Sequence, residues 1–229
     1  MNQIKVIIPA YNEQESIGKV IDDIPKIVNE IIVVNNNSTD NTKDVALKHG
    51  ATVLDEFNKG YGFACLKGME YISNQVEKPS IIVFLDGDYS DYPEQLIEII
   101  EPIEKDDIDL VIGTRNTDKR QKNSMTPQQV FGNWLATTLM RWFFKSTFTD
   151  LGPFRAIKYQ KLLDLNMVDK TYGWTVEMQL KALKQKLTYT EIPVKYRERI
   201  GTSKVSGTVK GSILAGYKIL SWIFKYSLK

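Results

Sequence analysis

The chain reads as an α/β fold built on a mostly parallel sheet with helices on both faces. Two observations predict this. Short apolar runs rich in isoleucine and valine, such as Ile4-Lys5-Val6-Ile7-Ile8, Ile31-Ile32-Val33-Val34 and Ile81-Ile82-Val83-Phe84-Leu85, alternate with amphipathic stretches of helical length. Strands that are nearly continuous in apolar residues are buried on both faces, which is the mark of parallel sheets covered by helices. The composition, 42% hydrophobic and 25% charged over 229 residues, supplies a packed core rather than a disordered chain.

Each element follows from its own pattern. Residues 4–8 form a strand that Pro9 ends. Residues 15–28 carry Ile17, Val20, Ile21 and Ile24 at helical spacing, with Pro25 near the end. Strands at 31–34 and 51–54 flank a helix at 40–49 that Gly50 closes. A helix at 61–75 precedes the strand at 80–85, and a helix at 93–103 precedes the strand at 109–113. Residues 114–125 are polar, charged and aperiodic, and read as a loop. Thr126, Pro127 and Gln129 then form a capping box with proline at the first helical position, opening a helix that runs to about Phe144. A short strand at 154–157, a helix at 174–186, an extended segment at 189–196, a Gly/Ser-rich loop at 201–207 and a last amphipathic helix ending near Leu228 complete the reading. The whole is expected to be one domain over 1–229, with a nucleotide-binding half at 1–113 and an acceptor-binding half at 114–229.

Charge and cysteine content narrow the function classes. A net charge of +2 gives no basis for nucleic-acid binding. The single cysteine, Cys65, excludes an internal disulfide, points to a reducing compartment and reads as a small buried residue. The one histidine, His49, precedes Gly50 at a helix end and reads as a surface residue. Met1 runs almost directly into a strand with no leader pattern, and no apolar stretch approaches the roughly 20 residues that span a bilayer. A cytoplasmic protein is expected, with membrane contact confined to its surface.

The chemistry gathers in the loops that follow the strands. Asp86-Gly87-Asp88 ends the fourth apolar run. Two carboxylates one residue apart, relaxed by a glycine, can turn toward one hard cation. Pro9-Ala10-Tyr11-Asn12-Glu13, Asn35-Asn36-Asn37-Ser38-Thr39-Asp40 and Asn58-Lys59-Gly60-Tyr61-Gly62 follow the first three strands. In a doubly wound sheet these loops share one edge and line one crevice. Their residue types suit a nucleotide sugar: short amides and backbone for base and ribose, Lys59 and glycines for phosphate, aspartates for a divalent ion.

At these motifs the chain resembles the family-two glycosyltransferases of the Rossmann-like GT-A fold. In Phe131-Gly132-Asn133, the segment from Thr149 through Phe154-Arg155-Ala156, Tyr172-Gly173-Trp174-Thr175-Val176-Glu177-Met178, and Arg199 with Ser203-Lys204, it is similar to the branch of dolichyl-phosphate-mannose and polyprenyl-phosphate-sugar synthases. The resemblance implies inverting transfer from a UDP- or GDP-sugar with Mg²⁺ or Mn²⁺. It implies Asp88 and Asp86 at the metal, and a donor site of Pro9, Ala10, Tyr11, Glu13, Asn35, Asn37, Lys59, Gly60, Asp86, Gly87, Arg199 and Lys204. For a hydroxyl acceptor Glu177 or Asp150 would be the base. For an anionic lipid phosphate Arg115, Arg155 and Arg141 would be the candidate counter-charges, with Trp174 beside the acceptor. Asn35 and Asn36 stand where the family usually has acidic residues, which leaves uracil and guanine both open. The chain lacks the membrane-spanning helices that many enzymes of that branch carry, which leaves lipid and soluble acceptors both open.

Two surfaces are read as a peripheral membrane contact. They are Trp142, Phe143, Phe144 and Lys145, and Tyr217, Lys218, Trp222, Lys225 and Lys229, because aromatic and basic residues together suit an interface. Ordinary core packing is the competing reading. Nucleotidyltransferases share related folds but place a glycine-rich, lysine-containing loop after the first strand, where this chain has Pro9-Ala10-Tyr11-Asn12-Glu13. An inactive binding module is disfavoured by the intact Asp86 and Asp88.

Overall fold

The computed structural model describes residues 3–202 and 209–228. Seven strands, β1 (Ile4–Ala10), β2 (Glu30–Asn35), β3 (Thr52–Asp55), β4 (Ile81–Phe84), β5 (Leu110–Thr114), β6 (Arg155–Lys158) and β7 (Tyr189–Pro193), form one sheet in the order β3-β2-β1-β4-β6-β5-β7. β1 pairs parallel with β2 and with β4, and β5 pairs parallel with β7, while β6 runs antiparallel to both its neighbours. The chain moves outward from β1 to β3, then returns to place β4 on β1's other side. That reversal is a topological switch point, where a crevice opens beyond the carboxyl ends of the strands.

The helices are α1 (Ile17–Asp23), α2 (Thr42–Lys48), α3 (Tyr61–Asn74), α4 (Leu96–Lys105), α5 (Pro127–Phe144), α6 (Tyr159–Leu165), α7 (Trp174–Lys184) and α8 (Val209–Ser227). Strand alternation assigns the two faces. Ile7, Ile82 and Phe84 enter the core shared with α3, α5, α7 and α8, whereas Val6, Ile8, Ile81 and Val83 enter the core shared with α1 and α4. Both faces are therefore covered, and the strands' apolar continuity has its cause.

Several boundaries differ from the sequence reading. α1 stops at Asp23, because Pro25 forces Ile24 out of the helical region to ψ 128°. The helix expected from residue 93 begins as a 3₁₀ turn over Pro93–Gln95 before α4 proper. α6 was not anticipated: it is a single short run that starts directly after β6, with no side-chain cap to announce it. The capping box of α5 is present as read: Thr126 Oγ1 accepts from Gln129 N (3.3 Å) and Gln129 Oε1 accepts from Thr126 N (2.8 Å). The loop read at 201–207 lies mostly outside the described residues. Cys65 is fully buried, as expected. His49 stays near the surface, with Nδ1 2.8 Å from Asp22 Oδ1.

One contact positions the crevice from behind. The segment 168–173 runs across the N-terminus of α3, where Lys170 O accepts from Phe63 N (3.0 Å) and Thr171 O accepts from Gly62 N (3.3 Å). Those are two of the amides that a helix start leaves without an internal partner. The approach is close enough that a Cβ on Gly62 would overlap Asp169 O and Lys170 C. We expect Gly62→Ala to lower stability by about 1–3 kcal/mol through overpacking against backbone. Urea denaturation measures this, and an unchanged midpoint would contradict the close approach.

Candidate active site

The loops after β1 to β4 meet around a cleft of about 350 Å³. Its lining includes Pro9, Ala10, Tyr11, Glu13, Lys59, Gly60, Asp86, Gly87, Asp88 and Arg199, all named from the sequence. Asn35 and Asn37 are not among them. The Asn35 amide donates to Asp55 Oδ1 (2.9 Å) and its carbonyl accepts from Ser38 N (3.3 Å), so it ties the ends of β2 and β3 together. Asn37 is exposed at a left-handed turn with φ 62°. Lys204 and Ser203 lie outside the described residues.

The loop after β2 serves instead as a brace. Ser38 Oγ accepts from Asn12 N (3.0 Å), Thr39 N donates to Asn12 Oδ1 (2.8 Å), and Thr42 Oγ1 accepts from Glu13 N (2.8 Å). Asn36, weighed in the sequence with Asn35 as bearing on the base but not counted among the donor-site residues, lines the cleft. Its amide donates to Asn58 O (2.6 Å) and its carbonyl accepts from Gly60 N (2.8 Å), fixing the turn that presents Lys59. Lys59 Nζ sits 5.1 Å from the Tyr11 ring centroid and 3.2 Å from its hydroxyl. Tyr61, Thr171 and Tyr172 complete the lining. The signal for Tyr172 was its place directly before Gly173-Trp174. Thr171 had none, because its segment is distant in sequence from the strand ends.

The floor of the cleft is acidic. Asp88 Oδ1 accepts from Ser90 N (2.9 Å) and Ser90 Oγ (2.5 Å), while Oδ2 faces Arg199 Nη1 at 3.0 Å. The same guanidinium reaches Glu13 Oε1 through Nη2 at 2.6 Å. Burial, with Asp88 beside it, pushes the Glu13 carboxyl up to about 7 against the pull of Arg199. Desolvation and the Asp88 charge push Asp86 up to about 6. Asp91 is buried, neither of its carboxyl oxygens meets a donor among the described residues, and burial together with Asp86 raises it well above the carboxylate range. Like charges crowded in a low-dielectric site raise one another in this way. Such a site favours a divalent cation, so Asp86 and Asp88 suit the metal that the motif suggested.

Five of the sequence-derived roles are corrected. Glu177 is completely buried: its carboxylate accepts from Val168 N (3.0 Å) and Asp169 N (2.7 Å) and pairs with Lys181 at 2.8 Å. Asp150 is held by Arg115 through N (2.6 Å), Nε (2.9 Å) and Nη2 (2.7 Å), and both residues are buried. That pair consumes the proposed base and one proposed acceptor cation together. Arg155 is fully buried and donates to Leu151 O, Gly152 O and Thr175 O, so it fastens a loop. Trp174 is core, edge-on to Phe84 with ring centroids 5.8 Å apart.

The aromatic surfaces divide. Trp142 and Tyr217 are exposed at 74% and 73%, and Phe143 is exposed too. Trp222, by contrast, is buried, and Phe144 packs against the core. Lys218 pairs with Asp169 at 3.2 Å, and Lys229 lies outside the described residues. No helix among the described residues is long and apolar enough to cross a membrane.

Residues 5–165 match the family model described as glycosyl transferase family 2. The chain belongs to that family. An uncharacterised glycosyltransferase of Mycobacterium tuberculosis is 32% identical over 93% of this chain and 94% of its own length. An undecaprenyl-phosphate mannosyltransferase of Micrococcus luteus is 29% identical over 91% of this chain and 90% of its own. A dolichyl-phosphate hexose transferase of Haloferax volcanii is 27% identical over 93% and 91%. Among solved structures, the M. tuberculosis glucosyl-3-phosphoglycerate synthase in complex with Mn²⁺, UDP and phosphoglyceric acid superposes with a TM-score of 0.79 at 18% identity. It covers 99% of this chain and 78% of that one. The fold is GT-A, and the protein is a glycosyltransferase.

The raised carboxyls make a prediction about pH. A carboxyl whose folded pKa lies above its unfolded value favours the folded state fully below the unfolded value, and that contribution is lost as pH climbs through the folded one. For Glu13 and Asp86 the window runs from about 4 to about 7. Glu30, lowered to about 2 through its bonds with Lys5 and Gln75, against the effect of burial, acts only below that window. In EDTA the urea midpoint should therefore fall between pH 5 and pH 8, and Asp86→Asn should flatten the fall. A midpoint that rises across this range would overturn the assignment.

Proposed function

We propose that the chain transfers a sugar, with inversion, from a UDP- or GDP-sugar to a polyprenyl or dolichyl phosphate at a membrane surface. The donor would occupy the cleft, with Tyr11, Ala10 and Asn36 toward the nucleoside and Lys59, Gly60 and Arg199 toward the diphosphate. Asp88 and Asp86 would hold Mg²⁺ or Mn²⁺, which when bound offsets the charge developing on the leaving diphosphate. Arg199 already pairs with Asp88 and Glu13, so its positive charge is in place for the same anion. Residues 1–113 would supply most of the donor site, with Thr171, Tyr172 and Arg199 added from 114–229, which would also hold the acceptor.

The observation that carries the acceptor assignment is the commitment of Asp150 and Glu177 to internal pairs. An alcohol acceptor needs a base to take its proton, whereas a phosphate arrives as an anion and needs counter-charge instead. A wide groove of about 930 Å³ provides that, with Arg120 and Lys122 beside Val130, Phe131 and Trp134. The names of the full-length relatives point the same way. The exposed faces of α5 and α8, with Trp134, Trp142, Phe143, Tyr217 and Phe224, would rest on the lipid surface, with the protein peripheral to the inner leaflet. Glu13, which burial pushes up to about 7, favours one second reading, in which it serves a hydroxyl acceptor as base in place of Glu177.

Separate measurements test this. A thermal-shift panel of UDP- and GDP-sugars with and without Mn²⁺ should show metal-dependent stabilisation by one of them. Asp88→Asn should abolish transfer and metal-dependent nucleotide binding while keeping the fold, and retained activity would remove its role. Glu177→Gln should keep transfer per folded molecule within about tenfold, against the 10²–10⁴-fold loss typical of a removed base. Transfer to a polyprenyl phosphate, with co-sedimentation on anionic liposomes, is expected. Turnover of hydroxyl acceptors alone would favour Glu13 as base.

A further inference from the structure

We infer that Asp169 is a positioning residue through which helix α8 holds one wall of the donor cleft in shape. The inference rests on the donor-site reading above.

The Asp169 side chain is completely buried and fully engaged. Its Oδ1 accepts from Thr171 N (2.7 Å) and Gly173 N (3.0 Å), which folds residues 169–173 into a tight turn. Its Oδ2 accepts from Trp222 Nε1 (2.6 Å) and pairs with Lys218 Nζ (3.2 Å), both on α8. One carboxylate therefore joins the turn to a helix some fifty residues later in the chain. Gly173 makes the junction flush, because a Cβ there would overlap the Trp222 ring.

The turn has functional consequence through what it touches. Thr171 and Tyr172 line the cleft directly. Behind them, Lys170 O and Thr171 O take the amides of Phe63 and Gly62 at the start of α3. Gly60 and Tyr61, from the same helix start, line the cleft beside Lys59. The order of contact is α8, Asp169, the 169–173 turn, the α3 N-terminus, then the donor cleft. A charge-assisted carboxylate bond is among the stronger polar contacts, and its removal from a dry site leaves the remaining partners unsatisfied. Loosening the α8 side should therefore widen the distribution of wall positions and weaken donor binding, without touching a group that meets the donor.

The test uses the full chain and the double variant Trp222→Phe/Lys218→Met, which keeps the ring and the aliphatic stem but removes both α8 partners of Asp169. The probes are UDP and GDP with Mn²⁺, followed by calorimetry, and hydrogen exchange of the peptide covering 60–64. The wild type should bind one nucleotide. The double variant should bind it about tenfold more weakly, with KM for the sugar donor raised in proportion and kcat within about twofold. Exchange at Gly62 and Phe63 should be faster, and Lys218→Arg alone should restore near-wild-type affinity. Should the double variant prove unfolded, Lys218→Met alone, with its half-exposed side chain, should show the same changes in smaller measure. Nucleotide affinity and exchange within twofold of wild type in a folded variant would overturn the inference while leaving the donor site standing. Failure of the wild type to bind either nucleotide would overturn the donor-site reading and the inference with it.

Discussion

The fold's chemistry depends on one ion-pair bridge. Arg199, near the end of the described chain's first segment, touches Glu13 after the first strand and Asp88 after the fourth. Without that guanidinium, Glu13 and Asp88 would lose their ion-pair partner at the carboxyl ends of β1 and β4, beside Asp86 and the buried Asp91. Charge taken out of water is costly unless it is paired. The bridge also fixes the sequence-distant C-terminal strand region against the switch point, since Ile200 N donates to Asp88 O (3.0 Å) and Arg197 Nε to Tyr89 O (2.6 Å). The site is thus assembled from both ends of the chain and held by the same charges that would handle the donor.

Much of this was legible in the residues because its causes are local. Parallel strands announce themselves by apolar runs, Thr126-Pro127 and Gln129 state their own cap, and Asp86-Gly87-Asp88 follows a strand whose position the sheet rules supply. Of the ten cleft residues named from sequence, all but Arg199 lie at or just beyond the ends of β1, β3 and β4, where the topology leaves them no other place. The errors share a different cause. Glu177, Asp150, Arg155 and Trp174 are polar or amphipathic residues whose partners lie at separations the sequence does not display: Arg115 with Asp150, Phe84 with Trp174. A charged residue in a suggestive segment looks the same whether it faces a ligand or a buried partner, and only the fold tells the two apart. Asn35 and Asn36 differ by one position, but the strand ends between them, so one amide turns to β3 and the other to the cleft.

The helices past β5 carry a double duty that composition alone blurs. Trp222 and Tyr217 are both aromatic residues of α8, yet one is interior and the other outward. Lys218 lies between them in the sequence and pairs inward. The interfacial reading fails for the inward set, and only the outward set is exposed, because a helix sorts its residues by angle and not by chemistry.

The antiparallel strand β6 has a consequence for engineering. Because it enters the sheet from the opposite direction, residue 150 arrives at the edge that residue 115 has just left, and Arg115 and Asp150 lock the two points together. Residues 116–149 are thus an excursion whose entry and exit are stapled side by side. Such a segment can be exchanged between relatives as a cassette. The sheet register and the cleft stay as they are only if the staple is kept and the replacement supplies the core contacts that Ala136, Met140 and Phe148 make.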